Sequence, residues 1–356
     1  MIYLDYQATT PLAPEAREAM LYWLDGGFAN PHSAHRPGRA AAAAVAHARD
    51  QVAGLLPPGG RVIFTSGATE AINLAIMGSG ARRIAVSAIE HSAVLDTARA
   101  SGAVVDVVPV SAGGLVSADT VIAPGTDLVC VMQVNNEIGT IQPITALAER
   151  AHAAGALFLC DAVQGVGKIA APEGADMIAV SAHKLYGPKG IGALWVRDGV
   201  ELAPLIHGGG QEGGLRSGTL SPALCAGFGA AAALCQRLGE SDGQLVDKLW
   251  KTARDLLPDW TLNGDAGQRW HGNLNLRRDG LDVARLMSDL RDLAFSAGSA
   301  CASGSGRPSH VLTALGLSPQ QAKSSIRIGF GRYTDPGEFA EALQRIDAAA
   351  AAQTSG

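Results

Sequence analysis

From about residue 60 to residue 200, short apolar runs alternate with alanine-rich segments of helical period. Several of the apolar runs are hydrophobic at consecutive positions, which is typical of strands buried on both faces of a sheet. This alternation predicts a mainly parallel, open α/β sheet covered by helices on both sides. The predicted strands are 61–64, 83–87, 104–109, 127–134, 156–160, 177–180 and 191–196, and helices are predicted at 68–77 and 144–154.

The pattern changes after an alanine-rich helix predicted at 222–238. A charged helix, a short strand at 273–276, a helix at 283–290 and a segment rich in glycine and serine follow it. We therefore predict a large α/β domain at 13–240 and a smaller α+β domain at 241–356, which residues 1–12 join.

Composition and charge exclude several classes of protein. The 356 residues are 47% hydrophobic and 17% charged, which permits a sizeable core and argues against a disordered chain. A formal charge of −5 gives no support for nucleic-acid binding. The N-terminus does not have the pattern of a signal peptide, and no apolar run is long enough to cross a bilayer. We expect a cytoplasmic protein without a membrane partner.

The five cysteines form no CxxC pair, which argues against disulfides and a structural metal site. Four of them lie in apolar segments of the sequence. Cys130 and Cys160 lie in predicted strands, whereas Cys225 and Cys235 lie in the helix predicted at 222–238. In such places a thiol is simply a small hydrophobic group.

Cys301 differs because residues 296–306 around it are small and polar and cannot pack a core. A cysteine in such a segment is expected to be exposed on a loop, which suits a nucleophile that must reach more than one partner. From composition alone, an incidental surface thiol is the alternative.

Polar side chains follow five of the predicted strands. In an open α/β sheet, ligands bind beyond the carboxyl ends of the strands, so these groups predict one polar ligand site. The groups are residues 65–70 after the first strand, then Glu90 and His91, then residues 135–137, then Asp161 and Gln164, and finally Ser181, His183 and Lys184.

These groups match the needs of pyridoxal phosphate (PLP). Lys184 is one of six lysines and the one at a strand end, where an amine can bind the cofactor's aldehyde. Asp161 ends an apolar strand, and a buried carboxylate there would stabilise a protonated pyridine nitrogen. Small residues and hydroxyls at a helix start suit a phosphate. The predicted phosphate ligands are Thr69, Ser181 and His183, and His91 is predicted to stack on the ring.

Each group also has a structural alternative. Asp161 alone could be a helix N-cap, and residues 65–69 could be an ordinary capped turn. Lys184 could be a solvated lysine, and His91 a structural histidine. None of these alternatives predicts that the groups converge at the same edge of the sheet.

The sequence resembles the NifS/IscS-type cysteine desulfurases, which belong to the class V aminotransferase group of fold-type I PLP enzymes. The order and spacing of many strings carry the resemblance, and they cover nearly the whole chain. These strings are YLDYQATTPLAPEA, FTSGATEAINLAI, EHSAVLDT, VNNEIGTIQPI, DAVQGVGK, SAHKLYGPKGIGALWVR, HGGGQEGGLRSGT, LNGD, SAGSACASG and SSIRIGFGRYT. Gly213 stands where an arginine is usual, which puts partner recognition in doubt.

The resemblance implies a role for each matching residue. It makes Lys184 and Cys301 catalytic, together with His91 as an acid or base near the substrate sulfur. It implies that Asn136 and Arg327 bind the substrate carboxylate, and that Thr219 serves the partner subunit. The cofactor-binding residues that it implies are Ala68, Thr69, His91, Asn136, Asp161, Gln164, Ser181, His183, Lys184 and Thr219.

The resemblance further implies a homodimer that converts L-cysteine to L-alanine. Sulfur would pass as a persulfide on Cys301 to acceptor proteins such as an iron–sulfur scaffold. A class V aminotransferase would need no cysteine on a loop, and a selenocysteine lyase would share every residue named. A catalytically silent scaffold is a third alternative, although it would have no need for Lys184, Asp161 and Cys301 together.

Overall fold

The computed structural model describes residues 1–298 and 309–354, in which thirteen strands and ten helices are formed. The strands are β1 (Ile2–Tyr3), β2 (Gly60–Thr65), β3 (Arg83–Ser87), β4 (Val104–Val108), β5 (Leu128–Cys130), β6 (Leu157–Asp161), β7 (Met177–Ser181), β8 (Gly192–Arg197), β9 (Thr261–Leu262), β10 (Asn273–Arg277), β11 (Leu293–Ala294), β12 (Ser296–Ala297) and β13 (Ser325–Gly329). The helices are α1 (Pro14–Asp25), α2 (Arg36–Ala53), α3 (Ala68–Gly78), α4 (Ser92–Ala100), α5 (Ile144–Ala153), α6 (Pro222–Leu256), α7 (Val283–Asp289), α8 (His310–Ala314), α9 (Pro319–Lys323) and α10 (Pro336–Thr354). Within the described ranges, no helix has both the length and the apolar character that a membrane span requires.

Seven strands form the main sheet in the order β2-β8-β7-β6-β5-β3-β4. Strand β8 runs antiparallel to β2 and β7, and every other neighbouring pair is parallel. The prediction of a mainly parallel α/β sheet is therefore confirmed. Because the other six strands run in the same direction, their carboxyl ends lie at one edge.

The strand predicted at 127–134 is shorter than expected, since β5 ends at Cys130. The ladder between β3 and β5 stops at the pair Val86 and Cys130. Beyond it, the Met132 N–H donates to the Glu90 carboxylate at 2.7 Å instead of to a neighbouring strand. A side chain thus replaces the ladder on the β3 side, while the Val131 and Gln133 N–H groups still donate to the backbone of β6.

Both faces of the main sheet are buried, as consecutive apolar positions require. In β6, Phe158 and Cys160 belong to one apolar cluster, which includes Phe228 of α6. Leu159 between them belongs to a second cluster, which includes Ile72 of α3. The alternation of one strand between two cores explains why its sequence is apolar at each position from Leu157 to Cys160.

A further apolar cluster joins the N-terminus to the C-terminal third of the chain. Leu4 packs there with buried residues from Val246 to Ala350. The cluster lies beside a four-stranded sheet of order β12-β13-β10-β9, and β1 pairs with β11. Helix α6 passes residue 240 without a break. The position of Leu4 in this cluster supports grouping residues 1–12 with 241–356. The division from 13–240 stays a prediction.

The cysteines within the described ranges are all buried and unpaired. They are Cys130, Cys160, Cys225 and Cys235. Burial raises the pKa of the Cys130 and Cys160 thiols well above its ordinary value, so these thiols stay protonated at neutral pH. Cys301 lies outside the described residues.

Truncation of Leu343 in α10 tests the importance of the C-terminal cluster. Leu343 is fully buried, so Leu343→Ala is expected to lower the free energy of unfolding by about 2–5 kcal/mol. Leu24 in α1 is 64% exposed, and Leu24→Ala is expected to change it by less than about 0.5 kcal/mol. Urea denaturation measures both values. Equal losses for the two variants would show that the cluster contributes no more than the surface.

Candidate active site

A cavity of about 500 Å³ lies beyond the carboxyl ends of the parallel strands. It brings together ten of the residues predicted for the site, from five strand ends and from β13. They are Ala68, Thr69, His91, Asn136, Asp161, Gln164, Ser181, His183, Lys184 and Arg327. Thr219 of the same chain does not line the cavity, and Cys301 lies outside the described residues.

Lys184 lies in a short 3₁₀ turn, Ala182–Lys184, that directly follows β7. Its Nζ donates to the carbonyl oxygen of Ala8 at 2.8 Å and to that of Gln7. The N-terminal segment is held in place here, because the Thr10 N–H donates to the His183 carbonyl oxygen at 2.9 Å. The backbone of residues 7–10 therefore fixes the amine at the cavity.

Asp161 ends β6 and is 5% exposed. One of its oxygens accepts a hydrogen bond from the Val163 N–H at 3.0 Å. Burial raises the pKa of Asp161, and the positive charges of His91 and Lys184 oppose that effect. A buried acid of this kind is stabilised in its ionised form by a cation placed beside it, which is what a protonated pyridine nitrogen would supply.

His91 caps the N-terminus of α4, where its Nδ1 accepts a hydrogen bond from the Ala93 N–H at 3.1 Å. The acceptor role of Nδ1 places the proton of the neutral ring on Nε2. Burial lowers the pKa of His91, although the charge of Asp161 opposes this. His91 therefore has a structural role as a helix cap, and the same hydrogen bond fixes the orientation of its ring at the cavity.

The turn before α3 suits an anion. Gly67 precedes the helix and provides no side-chain cap, so the backbone N–H groups of the first turn remain for a ligand. Glu70 in that turn is neutralised, because Arg216 Nε donates to its carboxylate at 2.7 Å. Ser181 Oγ lies 4.0 Å from the position that a Cβ on Gly67 would occupy. The serine hydroxyl and the helix start thus border the same space.

His183 also borders this space and is neutral at neutral pH. Its Nδ1 lies 3.1 Å from the Thr9 hydroxyl. Burial lowers the pKa of His183 to about 4, and the nearby charges of Lys184, Lys189 and Lys168 add to the effect. His183 can therefore give a hydrogen bond to an anion but no positive charge.

Arg327 lines the cavity from the middle of β13. It is 1% exposed, and one Nη donates to Asp5 Oδ1 at 2.7 Å while the other donates to the Asn136 carbonyl oxygen at 3.2 Å. Its Nε is buried and has no hydrogen-bond partner among the described residues. A guanidinium with a free donor suits a carboxylate.

Gln164 is oriented by two neighbours that the sequence did not identify. Its Oε1 accepts a hydrogen bond from Lys168 Nζ at 3.3 Å, and its Nε2 donates to the Gln7 carbonyl oxygen at 3.0 Å. Burial lowers the pKa of Lys168 to about 7, and the charge of Lys184 adds to this. These contacts direct the amide donor side of Gln164 towards the N-terminal segment at the cavity.

Comparisons of the sequence and of the structure with known proteins point to the same family. A family model described as aminotransferase class-V matches residues 2–340. The chain is 41% identical to a cysteine desulfurase IscS from Rickettsia felis, over 97% of this chain and 90% of that protein. It is 42% identical to a protein of the same name from Shewanella denitrificans, over 97% and 91%. A solved NifS-like protein matches with a TM-score of 0.89 at 30% identity, covering 98% of this chain and 99% of that one.

Glu90 is a fully buried acid behind the lining of the cavity. Its Oε1 accepts hydrogen bonds from the Ser87 hydroxyl at 2.5 Å and from the Met132 N–H at 2.7 Å. Its Oε2 is buried without a partner among the described residues. Burial raises the pKa of Glu90 to about 8, so the acid holds its proton at neutral pH and ties the ends of β3 and β5 together.

Glu90→Gln tests this protonation through the pH dependence of stability. Between pH 4.5 and about 8 the folded protein retains the Glu90 proton, whereas the unfolded chain loses it. The contribution of Glu90 is therefore complete below pH 4.5 and is lost as the pH rises through about 8. Relative to Glu90→Gln, the wild type is expected to lose stability by up to about 1.4 kcal/mol per pH unit in this range.

Urea denaturation of both proteins at pH 5 and pH 8, without added cofactor, measures the effect. Ser87→Ala is a useful control, because it removes a hydrogen bond to Glu90 but leaves the ionisable group in place. Parallel pH profiles for wild type and Glu90→Gln would contradict a protonated Glu90.

Proposed function

We infer that this chain, which belongs to the class-V aminotransferase family, is a PLP-dependent cysteine desulfurase of the NifS/IscS type. The observation that carries the inference is that one cavity holds the Lys184 amine, the buried Asp161 carboxylate and the buried Arg327 guanidinium. The relatives that match almost the full chain bear the name cysteine desulfurase. An aminotransferase or a selenocysteine lyase is not favoured by these relatives.

The residues around the cavity fit PLP. We propose that Lys184 binds its aldehyde and that Asp161 pairs with its pyridine nitrogen, since a buried acid with a raised pKa needs a neighbouring cation. Gln164 would lie near its phenolic oxygen, and His91 would stack on its ring. The proposed phosphate ligands are Ala68, Thr69, Ser181 and His183, at the uncapped start of α3 and the end of β7.

When bound, PLP supplies an electron sink for the negative charge that develops at the substrate Cα. The protein positions the substrate and moves its protons. Arg327, with Asn136 beside it, is proposed to bind the carboxylate of L-cysteine and fix its orientation. The Lys184 amine is proposed to take the proton from Cα, and His91 to transfer a proton near the substrate sulfur.

Cys301 is proposed to accept the sulfur. Its thiolate attacks the substrate sulfur, a new S–S bond forms, and the substrate C–S bond breaks. The products are L-alanine and a Cys301 persulfide, so L-cysteine and one enzyme thiol give L-alanine and one enzyme persulfide. The other cysteines that the structure describes are buried, which supports the choice of Cys301 as the reactive thiol.

We further propose a homodimer in which Thr219 serves the partner's cofactor. The proposal is supported by the position of Thr219, which does not line the cavity of its own chain. The persulfide would pass to acceptor proteins such as an iron–sulfur scaffold. We propose a cytoplasmic location, since a reducing compartment keeps a catalytic thiol available.

Lys184→Ala is expected to abolish the visible absorbance that PLP gives when it is bound covalently to the protein. The reason is that Lys184 is the lysine in the turn that directly follows β7, so the variant lacks the amine that is proposed to bind the aldehyde. A visible spectrum of the purified variant with added PLP measures this. Lys248→Ala, at an exposed position of α6, is the control and should retain the band. A normal band in Lys184→Ala would refute the assignment.

Cys301→Ala is expected to lower the rate of alanine formation from L-cysteine by about 10³-fold or more, because the sulfur acceptor is gone. The visible absorbance of the bound cofactor should be unchanged. The matched control is Ser303→Ala, which removes a polar group from the same segment but leaves the thiol. Alanine formation by Cys301→Ala at close to the wild-type rate would show that the sulfur leaves by another route.

A further inference from the structure

The start of α3, Ser181 and His183 form the part of the cavity that is proposed to bind the phosphate, here called the phosphate end. No positively charged residue has yet been assigned to it. Six ionisable side chains line the cavity among the described residues, namely His91, Asp161, His183, Lys184, Lys189 and Arg327. Under the proposed function, Lys184 binds the aldehyde and Arg327 binds the substrate carboxylate. His183 is neutral, because its pKa is lowered to about 4. Lys189 is therefore the remaining lysine or arginine without an assigned role among the described residues that line the cavity.

The register of the main sheet brings the segment before β8 to the phosphate end. Gly192, the first residue of β8, pairs with Thr65 at the end of β2 and with Ser181 at the end of β7. The chain from Lys189 to Gly192 thus enters the sheet between the turn that contains Gly67 and the turn that contains His183.

Close packing shows how near this segment lies to the start of α3. A Cβ added at Gly192 would lie 2.7 Å from Gly67 Cα and 2.6 Å from the Val180 carbonyl oxygen. Only glycine is accommodated in this place, since both neighbouring groups belong to the backbone. The backbone that carries Lys189 is thereby held against the turn at the start of α3, whose N–H groups have no side-chain cap.

The Lys189 side chain is available for a ligand. It lines the cavity together with Gly190, and it forms no hydrogen bond or ion pair with another residue in the described ranges. Its charge nevertheless reaches the site, since it helps to lower the pKa of His183. Gly190 adopts a φ of +87°, a left-handed conformation that glycine favours.

We propose that Lys189 is a phosphate-binding residue of the cofactor site, which adds a formal positive charge to the N–H groups at the start of α3 and to the hydroxyls of Thr69 and Ser181. This inference rests on the proposed function for the identity of the cofactor. It goes beyond that function because it assigns a role to a cation outside the proposed set of ligands. A lysine is suited to this role, as a flexible point charge that reaches a phosphate without bidentate geometry.

A comparison of two cofactor forms tests the proposal. Full-length protein freed of cofactor is titrated with PLP and, separately, with pyridoxal, which has the aldehyde and the ring but no phosphate. The visible absorbance of the bound form gives both dissociation constants. The variants are Lys189→Met, Lys189→Arg and, as a matched control at an exposed position of α6, Lys251→Met.

We expect Lys189→Met to bind PLP about tenfold more weakly than the wild type, because a charge-assisted hydrogen bond is lost. Pyridoxal affinity should be unchanged, and Lys189→Arg should recover most of the PLP affinity. Lys251→Met should behave as the wild type. Unchanged PLP affinity in Lys189→Met would overturn the proposal, and so would an equal loss for both ligands, which would indicate a general disturbance of the site.

Failure of this inference is distinguishable from failure of the proposed function. If the wild type bound PLP and formed alanine from L-cysteine while Lys189→Met had normal PLP affinity, the role of Lys189 alone would be wrong. If the wild type gave no visible absorbance with PLP, the cofactor assignment itself would be wrong.

Discussion

A carboxylate buried at the end of a strand destabilises the fold unless positive charge lies beside it, and Asp161 is such a group. The amine of Lys184 provides part of that charge, and a protonated cofactor nitrogen would provide the rest. The ends of β6 and β7 must therefore meet at one edge of the sheet. Parallel strands achieve this by direction alone, which is why the chemistry of the site follows from the topology of the sheet.

The cavity is completed by parts of the chain that are distant in sequence. Arg327 reaches it from β13 and is held by Asp5 and the Asn136 backbone, whereas Gln7 and Ala8 hold Lys184 from the N-terminal segment. The buried apolar cluster that contains Leu4 anchors that segment to the C-terminal third. Stability and function are linked here, because the N-terminal segment that this cluster anchors also holds Arg327 and Lys184 at the cavity.

The sequence predicted the sheet and most of the lining of the cavity, because strand patterns and the polar residues that follow them are local signals. It did not reveal the contact of Lys184 with Gln7, or that of Arg327 with Asp5, since these depend on packing between distant segments. The predicted length of β5 was wrong because the Glu90 side chain, and not the backbone of β3, accepts the hydrogen bond of the Met132 N–H. The roles of Thr219 and Cys301 remain predictions, as the first requires a partner chain and the second lies outside the described residues.

We propose that the chain transfers sulfur from L-cysteine to its own thiol and releases alanine. The most direct measurement is the amount of alanine formed per chain from a slight excess of L-cysteine, with and without a thiol reductant. We predict a burst of about one alanine per chain that stops without reductant, and continuous turnover with it, since the persulfide must be removed before the next cycle. No alanine under either condition, or amino transfer to a keto acid in its place, would contradict the account.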